Sequence, residues 1–344
     1  MFKIALFDAK KYDIESFEKI KDENIEFKYF ENRLTIDSVM LAQGFDGVCV
    51  FVNDEVNKEV IDKLYEYGVR AIFLRCAGFN NVDVSYCYKK IHVYRVPAYS
   101  PYAVAEHAMA LLMTINRRIH KAYNRTREFN FSLEDLTGND LHGKTAGVIG
   151  TGKIGRIFID ICKGFGMNVI AYDPFPIPNS DINYVDLDTL FKESDIISLH
   201  CPLTNETKDI ISERSISLMK KGVTIINTSR GGLVDSKALL QGIKERKIGA
   251  VCLDVYDEEA NIFYNDKSGH ILDDDILRNL ISMPNVIVTS HQAFLTHEAL
   301  ENIASTTREN IIKHFNNEIN PQNELCYHCG HQVDCQKLRK QKCF

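Results

Sequence analysis

The segment from Thr145 to Asp173 constrains the fold of this chain more than any other. It consists of an apolar run, a GxGxxG turn formed by Gly150, Gly152 and Gly155, a stretch with helical periodicity, and a second apolar run. In a βαβ unit that binds a dinucleotide, the first glycine allows the tight turn, the second lets the backbone approach the pyrophosphate, and the third lets helix and strand pack closely. The free N–H groups of the helix N-terminus then face the phosphates. The segment therefore predicts a dinucleotide site rather than a simple glycine-rich turn.

Asp173 indicates which dinucleotide is bound. It lies 18 residues after Gly155, where a carboxylate can accept hydrogen bonds from the ribose hydroxyls of the adenosine. This carboxylate would repel a 2′-phosphate, and the residues that follow it are Pro174, Phe175 and Pro176 instead of an arginine. We therefore predict NAD rather than NADP.

The composition of the chain bounds its class. A length of 344 residues favours two domains, and a content of 45% hydrophobic and 26% charged residues is typical of globular proteins. The formal net charge of -6 argues against nucleic acid or an anionic membrane surface as a partner. The apolar stretch at the N-terminus is shorter than a signal peptide, and no segment approaches the run of about 18 apolar residues that a membrane span needs. We therefore expect a cytoplasmic protein.

Residues 1–99 alternate strand-like and helix-like patterns. Strand patterns occupy residues 2–7, 25–30, 46–52, 70–75 and 91–96, and helical patterns lie near residues 14–20, 38 and 56–67. This alternation predicts βαβ units around a parallel sheet. The loop at residues 75–78 follows a strand, where open α/β sheets bind ligands, although an ordinary surface turn fits the same pattern.

Pro97 and Pro101 enclose a segment that interrupts regular structure and marks a candidate domain boundary. Apolar residues then recur at helical spacing and predict one long amphipathic helix that ends at about Arg127. This helix could pack internally or form a subunit interface.

From Leu141 onward, seven short apolar segments predict the strands of a doubly wound nucleotide-binding sheet. These segments read TAGVI, NVIAYD, INYVD, DIISLH, VTIINT, GAVCLDV and NVIVTS. A last helix, from Thr296 to Asn317, either completes this domain or crosses back to the first one.

Three polar residues follow strands of this predicted sheet. Arg230 comes after VTIINTS, Glu259 after VCLDVYDE, and His291 after VIVTS. Because parallel strands end at the same edge of a sheet, we expect the three side chains in one crevice. Taken singly, each has a plainer interpretation: a loop salt bridge for Arg230, a solvated acid for Glu259 and a helix cap for His291.

Together the three groups indicate hydride transfer to a small 2-oxo acid. The planar fork of an arginine matches a substrate carboxylate. Histidine exchanges protons near neutral pH, so His291 can protonate the carbonyl oxygen as the hydride arrives and can accept that proton in the reverse direction. A neighbouring carboxylate such as Glu259 favours the imidazolium and orients the ring. We therefore predict an NAD-dependent oxidoreductase with a small-molecule substrate.

Six segments within residues 1–320 make the chain resemble the D-isomer-specific 2-hydroxyacid dehydrogenases, and among these the bacterial fermentative D-lactate dehydrogenases. They are VPAYSPYAVAEHA at 96–108, GVIGTGKIG at 147–155, HCPLTNET at 200–207, INTSRGGLVD at 226–235, LDVYDEEANIF at 253–263 and SHQAFLTHEAL at 290–300. The resemblance implies reversible hydride transfer between NADH and pyruvate to give D-lactate, with Arg230 binding the carboxylate, His291 as acid/base and Glu259 paired with the histidine. A bulkier D-2-hydroxy acid as the substrate and an NAD(H)-sensing corepressor of related fold are the alternatives.

The resemblance also implies an α/β architecture of two domains with parallel sheets. A Rossmann NAD-binding domain would occupy residues 100–296, and a discontinuous flavodoxin-like substrate domain residues 1–99 and 297–322, with hinges near 99–101 and 295–297 and assembly into homodimers or higher oligomers. The implied substrate-side wall consists of Phe51, Arg75, Cys76, Ala77, Gly78, Tyr99 and Phe294. The implied cofactor contacts are Gly150, Gly152, Lys153, Ile154, Gly155, Asp173, Cys201, Pro202, Thr207, Thr228, Ser229, Arg230 and Asp254.

Residues 323–344 form a cysteine-rich tail that the resemblance does not cover. Cys326, Cys329, Cys335 and Cys343 lie here and could bind zinc or an iron–sulfur cluster, because thiolates are good ligands for both. Their irregular spacing also fits a redox-responsive disulfide or a basic tail with unligated thiols. The other six of the ten cysteines lie mostly in apolar runs, where a reduced cysteine behaves as a small hydrophobe.

Overall fold

The computed structural model of the protein describes residues 1–20, 22–259, 262–318 and 320–326. The chain divides into two compact units. The first consists of the described residues of 1–100 together with those from Leu295 to Cys326, and the second runs from Pro101 to Phe294. Within the described ranges, every helix is too short or too polar to cross a membrane.

The first unit is built on a parallel sheet of short, mostly buried strands. The strands are β1 (Phe2–Leu6), β2 (Ile25–Tyr29), β3 (Gly47–Val50), β4 (Ala71–Leu74) and β5 (His92–Tyr94). The helices between them are α1 (Lys11–Lys19), α2 (Lys58–Glu66) and α3 (Val84–Cys87), with a 3-10 turn at Val39–Ala42. The spatial order β2-β1-β3-β4-β5 is that of flavodoxin-like sheets, so the predicted fold class is confirmed for this unit.

The second unit opens with two helices where the sequence predicts one. These are α4 (Pro101–Asn116) and α5 (Ile119–Arg127), and Arg118 between them has a left-handed backbone with a φ of 54°. A returning loop ends α4, because the Asn116 side chain donates to the carbonyl of Asn139 at 2.7 Å and accepts from its N–H at 3.2 Å. The prediction of one continuous helix to Arg127 is therefore wrong.

A second parallel sheet follows, in the order β7-β6-β8-β9-β10-β11. Its strands are β6 (Thr145–Ile149), β7 (Asn168–Tyr172), β8 (Ile196–Leu199), β9 (Val223–Asn227), β10 (Ile248–Leu253) and β11 (Val286–Val288). Its helices are α6 (Lys153–Gly164), α7 (Leu187–Glu193), α8 (Glu213–Leu218), α9 (Ser236–Lys244) and α10 (Asp275–Ser282). Apolar side chains of the strands pack with helix residues in two hydrophobic clusters, as expected for a doubly wound fold.

The predicted strand INYVD is reduced to an isolated bridge between Tyr184 and Ala171 beside β7. The extended segment ends soon after this bridge because Asp186 is the N-cap of α7 and accepts a hydrogen bond from the N–H of Thr189. When the bridge is counted as the outermost position, the sheet has the strand order of a Rossmann fold.

The chain then contributes two further elements to the first unit. Helix α11 (His297–Phe315) begins after its cap Thr296, and its Ala304 and Ile311 join the core of the first sheet. Strand β12 (Glu324–Leu325) pairs antiparallel with β5, so the first residues of the predicted tail belong to this sheet. Cys326 follows the strand, whereas Cys329, Cys335 and Cys343 of the predicted metal site lie outside the described residues. In the described part of the chain, no three His, Cys, Asp or Glu side chains are grouped to hold a metal.

Candidate active site

The glycine turn connects β6 to α6, and the surrounding backbone leaves no room for a side chain at two of its three glycines. Gly150 has a φ of 96°, and an added Cβ there would lie 2.7 Å from the His200 carbonyl oxygen. A Cβ at Gly155 would lie 2.0 Å from the carbonyl oxygen of Gly150. Gly152 is the N-cap of α6, and a Cβ added there would have no other atom within 4 Å. The helix N-terminus at Lys153 and Ile154 therefore has the form of a cradle for a pyrophosphate.

Asp173 lies at the end of β7, beside this turn. Its Oδ2 accepts from the N–H of Thr151 at 2.7 Å and from the Thr151 hydroxyl at 3.0 Å, and its Oδ1 accepts from the N–H of Phe175. The Tyr184 hydroxyl lies 3.0 Å from that of Thr151. Thr151 binds the half-buried carboxylate and Tyr184 supports Thr151, a role that the sequence analysis assigned to neither residue.

The loops after β8 and β9 carry the other predicted cofactor contacts of this sheet edge. The Ser229 hydroxyl donates to the Cys201 carbonyl at 2.6 Å, which joins the two loops, and the Thr207 hydroxyl donates to the Pro202 carbonyl at 2.6 Å. Burial raises the pKa of the Cys201 thiol to about 11. In the described chain, the buried Thr228 hydroxyl oxygen has no hydrogen-bond partner. An orphaned polar atom at the sheet edge that also carries the glycine turn fits a site for NAD.

His291 and Glu259 form a hydrogen-bonded pair in the second unit. The Nδ1 atom of His291 lies 2.6 Å from Oε1 of Glu259, and Oε2 of Glu259 accepts from the N–H of Tyr256 at 2.8 Å. Both side chains are about one-fifth exposed. The plainer interpretations do not hold, because Glu259 is paired rather than solvated and the cap of the following helix is Thr296.

Asp254 organises the loop that carries His291. The residue is fully buried; its Oδ1 accepts from the Thr289 hydroxyl at 2.6 Å and the N–H of Gln292 at 2.9 Å, and its Oδ2 accepts from the N–H of Ala293 at 2.8 Å. Burial raises the pKa of this carboxyl, but hydrogen bonds from His107, Thr289 and the backbone outweigh burial and lower it. The Asp254 carboxylate therefore fixes the loop that carries His291, and the cofactor contact predicted for Asp254 stays a prediction.

Arg230 is exposed at the end of β9, close to the turn that carries Glu259. Its Nη1 donates to the Ser229 carbonyl, and its own carbonyl accepts from Nδ2 of the buried Asn227 at 2.8 Å. A Cβ at Gly231 would lie 2.1 Å from the carbonyl carbon of Tyr256, so the Arg230 segment packs directly on that turn. The structure thus brings the arginine loop and the His291–Glu259 pair to one edge of the sheet. Asn227 was missed because it lies within the predicted apolar strand VTIINT rather than after it.

Arg75, the first residue of the predicted loop at 75–78, forms an internal ion pair. It is almost fully buried in the first unit, where Nε lies 3.1 Å from Oδ1 of Asp13 and the other donors bind the carbonyls of Phe7 and Asp8. Its guanidinium also lies over the ring of Phe51, 4.8 Å from the centroid. The guanidinium is thus an internal cross-link between β4, the end of β1 and α1, and the substrate contact predicted for Arg75 stays a prediction.

The remaining residues of the predicted wall differ in exposure. Phe51 and Cys76 are buried, Ala77, Gly78 and Tyr99 are partly exposed, and Phe294 is buried in the second unit. The Sγ atom of Cys76 lies 3.2 Å from the Gly78 carbonyl, and Nη1 of Arg95 donates to the Ala77 carbonyl. The N–H of Ala293 donates to the Asp254 carboxylate. Phe294 is the next residue, so this hydrogen bond keeps it beside the loop that carries His291.

Comparison with known proteins confirms the predicted resemblance. A family model for the NAD-binding domain of D-isomer-specific 2-hydroxyacid dehydrogenases matches residues 109–293. The D-lactate dehydrogenase of Escherichia coli K12 is 49% identical over 314 residues, which cover 90% of this chain and 95% of that protein. The apo structure of the E. coli enzyme matches with a TM-score of 0.87 at 46% identity, covering 94% of this chain and 100% of that one. For D-lactate dehydrogenase with NAD+ from Lactobacillus jensenii, the TM-score is 0.80 at 31% identity, covering 95% and 100%. The chain therefore belongs to the D-isomer-specific 2-hydroxyacid dehydrogenase family and is an NAD-dependent enzyme of that class.

Proposed function

We propose that this enzyme reduces pyruvate to D-lactate with NADH, reversibly, and that Arg230, Glu259 and His291 carry the reaction. The observation that supports this most directly is the 2.6 Å pairing of His291 with Glu259 at the same sheet edge as the glycine cradle. The similarity to proteins named D-lactate dehydrogenase supports pyruvate as the substrate.

Each residue has a distinct part in the proposed reaction. NADH supplies the hydride to the carbonyl carbon of the substrate. His291 donates a proton from Nε2 to the carbonyl oxygen, while Glu259 stabilises the imidazolium and keeps the ring oriented. The exposed guanidinium of Arg230 can bind the substrate carboxylate in a bidentate manner. In the reverse direction, His291 accepts the hydroxyl proton of D-lactate.

For the cofactor, we propose that the glycine turn holds the pyrophosphate and that Asp173 accepts from the adenosine ribose. The carboxylate already lies beside the turn through its hydrogen bonds with Thr151. Its negative charge disfavours a 2′-phosphate, so NADH should be preferred over NADPH. Phe175, two positions after Asp173, is 85% exposed, and we propose that its ring stacks on the adenine.

A panel of 2-oxo acids tests the proposal. Purified enzyme should oxidise NADH fastest with pyruvate, more slowly with 2-oxobutyrate and 2-oxoisocaproate, and poorly with NADPH in place of NADH. The product should be the D isomer by chiral chromatography. A higher kcat/KM with a bulkier acid would replace pyruvate as the substrate, and inactivity with every acid would favour the corepressor-like binding protein.

The same assay tests His291. A His291→Gln variant should lose turnover by about 100-fold or more, since general acid–base catalysis typically contributes this much. NADH binding, measured by fluorescence, should stay nearly unchanged. His270→Gln, at an exposed histidine of the same unit, is the matched control. Undiminished turnover of the His291 variant would remove the acid/base assignment.

We also propose that the enzyme is a homodimer formed through the second unit. Helix α5 has no buried residue, and the segment after it exposes several large apolar side chains. Exposed apolar patches of this kind are typical of interaction sites.

A further inference from the structure

His291 has an unusual backbone for a non-glycine residue. Its φ of 52° lies in the left-handed region, which bulky residues rarely adopt. Such a conformation persists only where the surrounding contacts fix it, and these residues are common at active sites. The N–H of His291 donates to the Asp254 carbonyl at 2.7 Å, and its Nδ1 is paired with Glu259.

Tyr264 holds the remaining backbone group of His291. Its hydroxyl donates to the His291 carbonyl at 3.0 Å. The two rings lie in a stacked arrangement, with their centroids 6.2 Å apart and their planes 29° apart. Tyr264 lies five residues after Glu259. Both belong to the segment between β10 and α10, so the same loop supplies the Glu259 carboxylate and the Tyr264 hydroxyl.

We propose that Tyr264 is a positioning residue that fixes the orientation of the His291 imidazole for proton transfer. The inference rests on the proposed function, in which His291 is the acid/base. With its N–H, its carbonyl and Nδ1 all engaged, His291 cannot turn without breaking a hydrogen bond, and Nε2 is the atom left for the substrate. Tyr264 takes no part in the covalent step: the hydride goes to the carbonyl carbon, and the proton passes from Nε2 to the carbonyl oxygen.

The Tyr264→Phe substitution removes only the hydroxyl and keeps the ring. Losing one hydrogen bond that orients a catalytic group should lower kcat for pyruvate reduction about fivefold. The Kd for NADH should stay within about twofold of wild type, because the glycine cradle and Asp173 are unchanged. Tyr65→Phe is the matched control, since Tyr65 is an exposed tyrosine of the first unit.

A proton NMR signal gives a readout that does not depend on activity. The Nδ1 proton in the short, charge-assisted bond to Glu259 should resonate far downfield in the wild type and be absent from His291→Gln. In Tyr264→Phe, we expect this resonance to broaden, because the looser loop lets the proton exchange with water. In Tyr65→Phe, the resonance should match the wild type.

The outcomes separate the inference from the function on which it rests. A Tyr264→Phe variant that keeps either the wild-type kcat or the wild-type Nδ1 resonance overturns the positioning role. If the wild type reduces no 2-oxo acid, the proposed function fails, and the NMR comparison alone then decides whether Tyr264 orients His291.

Discussion

Among single residues, His200 is a histidine that folding keeps uncharged. Its Nε2 lies 2.9 Å from the Ser198 hydroxyl, and its ring packs on Phe158 with the centroids 4.9 Å apart. Burial lowers the pKa of His200 from 6.5 to about 3. Below about pH 6.5, the unfolded chain therefore binds a proton that the folded protein excludes. Folding stability therefore falls through His200 as the pH drops from about 6.5 toward the lowered pKa of the folded state.

We predict that His200→Gln weakens the pH dependence of stability. Between pH 7 and pH 5, the wild type should lose about 2 kcal/mol more than the variant, because glutamine does not titrate. Urea unfolding of both proteins at the two pH values measures the difference. His270→Gln should behave like the wild type, since this histidine is exposed. Equal losses in the wild type and His200→Gln would show that His200 titrates normally.

The residues of the candidate site could be predicted from the sequence where they directly follow an apolar strand. Arg230, Glu259 and His291 each follow an apolar strand, and parallel topology brings such positions to one edge. Tyr264 follows no strand, so only the folded chain shows that its hydroxyl reaches the His291 carbonyl. Arg75 also follows a strand, but the sequence could not show that Asp13, far away in the chain, would engage its guanidinium inside the first unit.

At the scale of secondary-structure elements, the strands were predictable because they are buried apolar runs bounded by polar loops. The errors occurred where a long-range contact ends an element. Helix α4 stops because Asn116 binds the returning backbone at Asn139, although apolar spacing continues to Ile119. Strand β12 has two residues and exists only through its pairing with β5, which no local pattern reveals.

A buried side chain on α11, that of Asn310, helps to hold the segment that carries β12 against the first unit. Oδ1 of Asn310 accepts from the side-chain amides of Asn320 at 2.7 Å and Asn323 at 2.8 Å, and its Nδ2 donates to the Arg95 carbonyl at 3.0 Å. We predict that Asn310→Ala destabilises the protein by about 3 kcal/mol, since it leaves buried polar groups unsatisfied.

Hydrogen exchange measured by mass spectrometry checks the Asn310 prediction locally. Peptides that cover β5 and residues 320–326 should exchange faster in Asn310→Ala, because the N–H of Arg95 donates to the Asn323 carbonyl at 2.9 Å. Asn316→Ala, at an exposed position just after the same helix, should leave these rates unchanged. Wild-type exchange in the Asn310 variant would mean that β12 is held by other contacts.

At the scale of the whole molecule, the stability of α5 needs an explanation that the described part of the chain does not provide. A helix of nine residues is marginal in water unless one of its faces is buried, and α5 has no buried residue. Large apolar side chains continue along this surface, which consists of Ile119, Tyr123, Phe129, Phe131 and Leu133. The last three are 72–83% exposed, which is costly in water unless a second copy covers them.

We therefore predict that the wild type has about twice the chain mass of 39.3 kDa in solution and that Phe131→Asp with Leu133→Asp shifts it toward the monomer. Two carboxylates at the centre of an apolar interface would lose solvation in the dimer without gaining partners. Light scattering coupled to size-exclusion chromatography at micromolar concentration measures both masses. Ile271→Asp, at an 82% exposed apolar residue of the same unit, should leave the mass unchanged. If the double variant keeps the mass of the wild type, the interface lies elsewhere. If the wild type itself is monomeric, contacts within its own chain stabilise α5.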